Sequence, residues 1–179
     1  MATLVNPPPL PVPIAALKAY LRIEGSEEDA LLAGLLRSAA EICEAFTRVM
    51  LIDAEIEQTM TARPAWTRLY RAPVRAILTV AALGAGAEPV PLAVGDYGID
   101  IDAGGDGWVR VTGSAAAGRL LVRYRAGLAA DWNGIPEPLR QGIVRMATHL
   151  YAHRDGEDGA GPPAAVTALW LPYRRLRLG

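Results

Sequence analysis

The sequence has few of the residues from which common active sites and covalent cross-links are built. Its 179 residues include one cysteine, two histidines and one phenylalanine, and Lys18 is the only lysine among 18 basic side chains. Because Cys43 has no second thiol to pair with, an intrachain disulfide is excluded and an oxidising compartment is not indicated.

Long apolar runs are absent as well. No stretch approaches the roughly 20 apolar residues that span a bilayer, and the N-terminal residues lack the basic start and apolar core of a secretory signal. The net charge of −1 gives the whole chain no attraction to nucleic acid or to a membrane surface. We therefore expect a soluble protein of intracellular origin. Its length predicts one domain, or one domain with an inserted subdomain.

Helical patterns follow a proline-rich start. Residues 1–13 contain five prolines, and we expect them to be extended with little helix or sheet. A short helix is predicted at Ile14–Leu21. A longer one is predicted at Glu27–Arg48, with Ser26 as the N-cap and Asp29 as the capping-box acid. The apolar stripe of the longer helix comprises Leu31, Leu32, Leu35, Leu36, Ala39, Ile42, Cys43 and Phe46.

A third long helix is predicted within residues 127–156. Pro138 suits its first turn, and Arg154 and Gly156 suit its C-terminal end. Its buried face comprises Leu139, Ile143, Met146, Ala147 and Leu150. We expect this face to pack against one side of the preceding long helix, formed by Leu31, Leu35, Ile42 and Phe46.

Between the long helices the apolar period changes from helical to alternating. Tyr97, Ile99 and Ile101 alternate with polar or small residues, and a glycine-rich turn at 102–107 leads to a second alternating run, which predicts a hairpin. Residues 52–126 are therefore expected to form a mostly antiparallel β subdomain. The predicted fold class is α+β, a small helical bundle (14–51 and 127–156) with an inserted β subdomain and an extended C-terminal arm (157–179).

One pair of residues has a spacing typical of metal ligands. His149 and His153 are four residues apart on the predicted helix, so both rings can share a face. The glutamate that accompanies such pairs in metalloproteases is absent, and Asp155, Glu157 or Asp158 would have to complete the site. A helix edge with two partly exposed imidazoles explains the pair better, while a small enzyme or a metal- or ligand-binding module using His149 and His153 stays as the alternative.

Other candidate motifs fail at a specific position. The segment Asp100–Gly107 has acids and a glycine where a calcium loop has them, but Val111 stands where a bidentate glutamate is needed. The glycines at 84–89 are not followed by the lysine and hydroxyl of a phosphate-binding loop. Cys43 lies within an apolar stripe, which indicates a buried, unreactive thiol. We therefore expect no catalytic residues, no metal and no cofactor.

The chain ends in ALWLPYRRLRLG, which places large apolar side chains beside a cluster of arginines. This ending follows a glycine- and proline-rich hinge, and Pro172 favours an extended chain at Leu171. One interpretation is an arm that docks on a partner and contributes nothing to the protein's own core. The alternative is that Leu169 and Trp170 fold back on the helices and the arginines are solvated. The candidate contact residues are Leu169, Trp170, Leu171, Pro172, Tyr173, Arg174, Arg175 and Arg177.

The order of these segments resembles the head–tail connector (adaptor) proteins of phages, including the adaptors of phage-like gene transfer agents. The resemblance lies in ALKAYLRIEGSEEDALLAGLLRSAAEICEAFTRVML, LYRAPVRAILTVAAL, VRYRAGLAADWNGIPEPLRQGIVRMATHLYAHR and the ending LWLPYRRLRLG, and it covers most of residues 15–179.

This resemblance implies a structural protein and not an enzyme. The subunits would form a ring, dodecameric in related particles, that docks on the portal protein at the capsid vertex through the C-terminal arm. A tail-side connector (stopper) would be a second partner, and DNA would pass through the lumen without specific binding. The ring would assemble in the bacterial cytoplasm and become part of the particle neck.

Overall fold

The structure is a computed structural model that describes residues 1–84, 88–112, 118–153 and 161–175. Within these ranges the chain forms four α-helices and eight β-strands. It divides into two compact units, a β unit of Met1–Pro8 with Asp53–Leu128 and a helical unit of Pro9–Ile52 with Ala129–Gly179. The predicted α+β class is confirmed.

The helical unit contains α1 (Ile14–Leu21), α2 (Asp29–Thr47), α3 (Glu137–Ala152) and α4 (Ala164–Trp170). Helix α3 packs against each of the other three helices. The fully buried core side chains of the helical unit include Leu17, Leu32, Leu36, Leu139 and Ile143. No helix in the described ranges has both the length and the apolar character required to cross a membrane.

Helix α2 packs on α3 as expected, but the residues predicted for the contact are not the most buried ones on α2. Leu31 is 39% exposed, and Leu35, Ile42 and Phe46 are half-buried. The buried residues are Leu32, Leu36, Ala39, Ala40, Cys43 and Thr47. The apolar stripe is wider than the buried side of the helix, so the periodicity alone did not determine which residues of the stripe are buried.

The start of α2 also differs from the prediction. The helix begins at Asp29 instead of Glu27, and Glu28 at the N-cap makes no side-chain capping bond. Ser26 does not cap the helix; its backbone carbonyl accepts the N–H of Asp29 at 3.2 Å. The Asp29 carboxylate accepts a hydrogen bond from Lys18 Nζ at 2.8 Å and so links α2 to α1, which takes the acid away from the capping box.

The first turn and most of the buried face of α3 are confirmed. Its first turn contains Pro138, and four of the five predicted core residues are buried, with Leu150 half-buried. The predicted C-terminal signals Arg154 and Gly156 lie outside the described residues.

The β unit contains two antiparallel sheets. Its strands are β1 (Ala2–Leu4), β2 (Ala54–Thr61), β3 (Thr67–Arg68), β4 (Val74–Leu83), β5 (Val90–Pro91), β6 (Tyr97–Ile101), β7 (Gly107–Val111) and β8 (Arg119–Ala126). The larger sheet has the order β1-β2-β8-β4-β5 and the smaller one has the order β3-β7-β6. Buried side chains of the unit include Ile56, Val80, Val111, Val122 and Tyr124.

The N-terminal residues contribute a strand, although little sheet was expected there. Ala2–Leu4 pair with β2 so that Leu4 lies opposite Ile56. The prolines begin only at Pro7, so the residues before it keep the N–H groups that a strand ladder requires.

The predicted hairpin at 97–111 is confirmed as β6 and β7. One Asp102 carboxylate oxygen accepts the Asp106 N–H at 2.9 Å, and the other accepts Trp108 Nε1–H at 3.0 Å. Gly105 has φ +79°, a conformation that favours glycine. Asp102 and Gly105 therefore stabilise the turn between β6 and β7.

The chain leaves the helical unit after Ile52 and returns to it at Ala129. These two residues form a parallel β-bridge, and the Ala129 N–H donates to the Leu51 carbonyl at 3.1 Å. The two ends of the inserted segment are therefore joined by backbone hydrogen bonding.

Candidate functional site: the C-terminal segment

The described part of the C-terminal segment is helical. Pro162 and Pro163 precede α4, whose first residue is Ala164, and a 3-10 turn at Leu171–Tyr173 follows it. Leu171 has φ −54° and ψ −42°, so the expectation that Pro172 would hold it extended is wrong. Pro172 lies in the first turn of the short 3-10 helix, where its missing N–H leaves no bond unmade.

Trp170 is part of the core of the helical unit. Its side chain is fully buried, and its indole Nε1–H donates to the Leu139 carbonyl at 3.4 Å. The indole also lies against Phe46, with ring centroids 6.0 Å apart. Val166, one turn earlier on α4, is 2% exposed. The prediction that this segment contributes nothing to the protein's own core is therefore wrong for α4.

Gly142 on α3 provides the space for this tryptophan. A Cβ atom at position 142 would lie 2.0 Å from the indole Nε1 and 2.7 Å from the indole Cδ1, which no packed structure allows. The fold-back alternative is thus correct for Trp170. The signal in the sequence was a glycine within the buried face of a predicted helix, where glycine is otherwise unfavourable.

The residues after Trp170 stay close to the end of α2. The Arg174 guanidinium lies 5.5 Å from the centroid of the Phe46 ring, within cation–π range. The Arg175 N–H donates to the Thr47 carbonyl at 2.8 Å, which satisfies a carbonyl at the C-terminal end of α2. The 3-10 turn is therefore held at both of its ends.

The surface offered by the candidate residues is smaller than the sequence suggested. Leu171 is 55% exposed, and Pro172 and Arg174 are also exposed. Leu169, Tyr173 and Arg175 are half-buried, whereas Trp170 is inaccessible to a partner in this conformation. Arg177 lies outside the described residues. The exposed surface is thus centred on the 3-10 turn.

The two histidine rings lie next to each other at the end of α3, tilted by 38°. The two imidazole centroids are 4.2 Å apart, and His153 Nδ1 lies 2.9 Å from the His149 carbonyl oxygen. Asp155, Glu157 and Asp158 lie outside the described residues. In the part of the chain that is described, no three histidine, cysteine or acidic side chains are arranged to hold a metal ion.

Cys43 is buried in the packed face of α2 and is fully inaccessible to solvent. Burial, assisted by the nearby Glu44 carboxylate, raises the pKa of the Cys43 thiol to about 12, against a smaller opposing effect of its hydrogen bond with Thr47. The thiol stays protonated at neutral pH and is therefore a poor nucleophile.

No protein-family model matches the chain, and neither does any curated protein. Solved structures of gene transfer agent (GTA) particles do match it. A chain from the neck of an empty GTA particle, computed with C6 symmetry, has a TM-score of 0.81 at 24% identity, which shows the fold alone.

Two further structures match at somewhat higher identity. A chain from the virion of a native GTA particle has a TM-score of 0.79 at 25% identity. One from the neck of a native GTA particle, computed with C12 symmetry, has a TM-score of 0.72 at 26% identity. In all three, the alignment covers 99% of this chain and 97% of the other. The resemblance to head–tail connectors of gene transfer agents is confirmed by these structures.

Proposed function

We propose that this chain is a structural subunit of the neck of a phage-like particle, in a head–tail connector (adaptor) ring. The observation that carries this proposal is the structural match to chains of GTA particles, two of them from particle necks. The match covers almost the whole of this chain and almost the whole of each of the others. Because neither chain extends far beyond the other, the similarity concerns the whole subunit and not a shared module.

The second part of this proposal is that the subunits assemble into a ring. The neck structures that match were computed with C6 and with C12 symmetry, which supports a homo-oligomeric ring. A ring of identical subunits closes through head-to-tail contacts between two different surfaces of each copy. We propose twelve copies around a channel for DNA, and the net charge of −1 suits a lumen along which DNA slides without tight binding.

The portal-facing contact is proposed for the 3-10 turn and the arginines beside it. Leu171 and Pro172 offer exposed apolar surface, and Arg174 offers a guanidinium that can pair with portal carboxylates in a bidentate manner. Trp170 anchors this turn from inside and does not touch the portal. A turn that is already ordered loses less conformational entropy on binding than a mobile arm would. The opposite face of the ring would bind the tail-side connector, and assembly would take place in the bacterial cytoplasm.

The proposal is tested by removing the gene from a host that makes the particles and by examining the particles. We expect heads without attached tails, and complementation with the wild-type gene should restore both the tails and the protein in purified particles. Tailed particles that lack the protein would contradict the proposed function.

The portal contact is tested separately with purified proteins. The double variant Leu171→Ala, Arg174→Glu is expected to bind the portal at least about tenfold more weakly, because a buried apolar contact is lost and a charge is reversed. Arg37→Glu, at an exposed position of α2, is the matched control and should bind as the wild type does. Equal portal binding by both variants would exclude the 3-10 turn from the contact.

A further inference from the structure

Charge is unevenly divided along the β unit. The sequence between Arg75 and Arg110 contains no lysine or arginine but has five acids, Glu88, Asp96, Asp100, Asp102 and Asp106. The rest of the β unit, including Arg75 and Arg110, has eight arginines. It has only three acids, Asp53, Glu55 and Glu57. One continuous part of the unit is therefore acidic, while the remainder is basic.

The acidic part includes one edge of each sheet. Strand β5 is the last strand of the larger sheet, β6 is the last strand of the smaller one, and only a short 3-10 connection separates them. We call residues 88–101 the acidic edge. Its apolar side chains are exposed to an unusual degree, namely Val90 (63%), Val94 (84%), Ile99 (46%) and Ile101 (39%).

The backbone of β6 is open on the side away from β7. The Thr112 N–H donates to the Asp96 carbonyl at 2.8 Å, and the Asp102 N–H donates to the Asp106 carbonyl at 3.0 Å. Since the ladder bonds of antiparallel strands involve alternate residues, Tyr97, Ile99 and Ile101 direct their N–H and C=O groups away from β7. No other strand pairs with β6 in the described ranges, so this edge can accept a partner.

A second surface has the complementary charge. We call the exposed residues Arg63 and Arg119 the arginine patch. Trp66 and Arg110, whose guanidinium lies 4.6 Å from the indole centroid, do not belong to this patch, because both lie against Gly98 of β6. The Arg63 carbonyl accepts the Val111 N–H at 2.9 Å, which places Arg63 beside β7 on the side opposite to β6. Arg119 stands opposite Thr61, two residues before Arg63 in the sequence.

Both surfaces carry exposed charges without ion-pair partners. Among the described residues, no carboxylate lies within 4.0 Å of the guanidinium nitrogens of Arg63 or Arg119, and no cation lies that close to the carboxylates of Glu88, Asp96 or Asp100.

We propose that the acidic edge of one copy docks against the arginine patch of the next copy. The inference rests on the proposed function in that it takes the copies to stand side by side in a ring. Two acidic edges would repel each other, so the charge pattern disfavours a two-fold pairing of identical surfaces and favours a head-to-tail contact. Head-to-tail contacts are the kind that close a ring.

The contact is tested by reversing the charges of each surface in turn. One variant carries Asp96→Arg and Asp100→Arg, and the other carries Arg63→Glu and Arg119→Glu. Sedimentation velocity of the full chain at low salt is expected to show self-association of the wild type and association at least about tenfold weaker for each variant alone. An equal mixture of the two variants should associate again, because each reversed surface then meets one of opposite charge.

The apolar part of the contact has its own matched pair of variants. Ile99→Lys on the free edge of β6 should weaken self-association, whereas Leu4→Lys on β1 should not. Leu4 is a suitable control because it is 41% exposed and lies on an edge strand at the other end of the larger sheet. Circular dichroism of all variants checks that each is folded.

The outcomes separate this inference from the proposed function. A monomeric wild type, reversed variants that associate as the wild type does, or a mixture that fails to associate would each overturn the proposed contact. The presence of the wild-type chain in purified particles is measured independently. If it is present while these association tests fail, the proposed function stands and the contact between copies lies elsewhere.

Discussion

The indole of Trp170 fills the space that a side chain at Gly142 would need. The two residues belong to different helices, and a Cβ atom on Gly142 would come within 2.0 Å of the indole nitrogen. The position of α4 on α3 thus depends on the absence of one carbon atom. Through this contact α4 becomes part of the core of the helical unit.

Gly142→Ala is expected to destabilise the protein, although the same change usually stabilises a helix. Alanine is preferred to glycine in a helix by about 1 kcal/mol, but overpacking a core costs roughly 1–3 kcal/mol, and displacement of Trp170 would add to that. We expect a net loss of at least about 1 kcal/mol in urea denaturation. The control is Gly34→Ala in α2, where the added methyl group would meet no atom within 4 Å outside its chain neighbours and the nearby backbone of its own helix. That variant should be as stable as the wild type or more so, and equal shifts of both variants would contradict the packing described.

Trp170→Ala should reduce the free energy of unfolding by about 3–5 kcal/mol, the range for large aromatic side chains removed from a core. A chain that ends at Ala160 should lose at least as much, because Val166 is removed as well. Leu171→Ala changes a side chain that is 55% exposed, and its effect should stay within about 0.5 kcal/mol. Thermal melts of the three variants provide the comparison. Equal melting temperatures of the truncated and full-length chains would restore the idea of a separate arm.

Leu36→Ala should be far more damaging than Leu31→Ala. Leu36 is fully buried between α2 and its neighbours, whereas Leu31 is 39% exposed on the same helix. Removing a buried leucine costs about 2–5 kcal/mol, and the exposed position should lose well under half of that. Leu35 is half-buried, so its truncation should fall between the two. Denaturation midpoints in the opposite order would mean that a different side of α2 is buried.

The thiol of Cys43 should not react with an aromatic disulfide reagent at about pH 8, although a free thiol of ordinary pKa is partly ionised there. Its raised pKa means that the native state keeps the proton after the unfolded state has lost it. This contribution to stability is therefore complete below the ordinary thiol pKa and declines as the pH rises towards about 12. Guanidinium chloride should expose the thiol and allow the reaction. Tyr20→Cys in a Cys43→Ala background, at a position 50% exposed, should react without denaturant.

Local patterns in the sequence were sufficient for the elements whose cause is local. The apolar repeat of α2 and the alternation in β6 and β7 each lie within one segment, and their predicted positions agree with the structure to within two residues. The location of Trp170 depends on a glycine in another helix, so no feature near Trp170 could reveal it. The side of α2 that is buried likewise depends on how the other helices pack around it.

The candidate contact surface was predictable only in part for the same reason. Leu171, Pro172 and Arg174 were identified from their chemistry and are exposed in the structure. The sequence did not distinguish them from Trp170, because a tryptophan that anchors a segment and a tryptophan that binds a partner have the same neighbours in the chain.

Because of the backbone bridge between Ile52 and Ala129, the inserted β segment leaves the helical unit and returns to it at neighbouring positions. Since the two ends of the insertion are already neighbours, the packing of the helical unit does not depend on the length of chain between them. The entropic cost of closing that loop grows only with the logarithm of its length. Residues can thus be added to or deleted from the β segment over generations with little effect on the helices. A family of such proteins can keep one bundle while its insertions diversify to fit different partners.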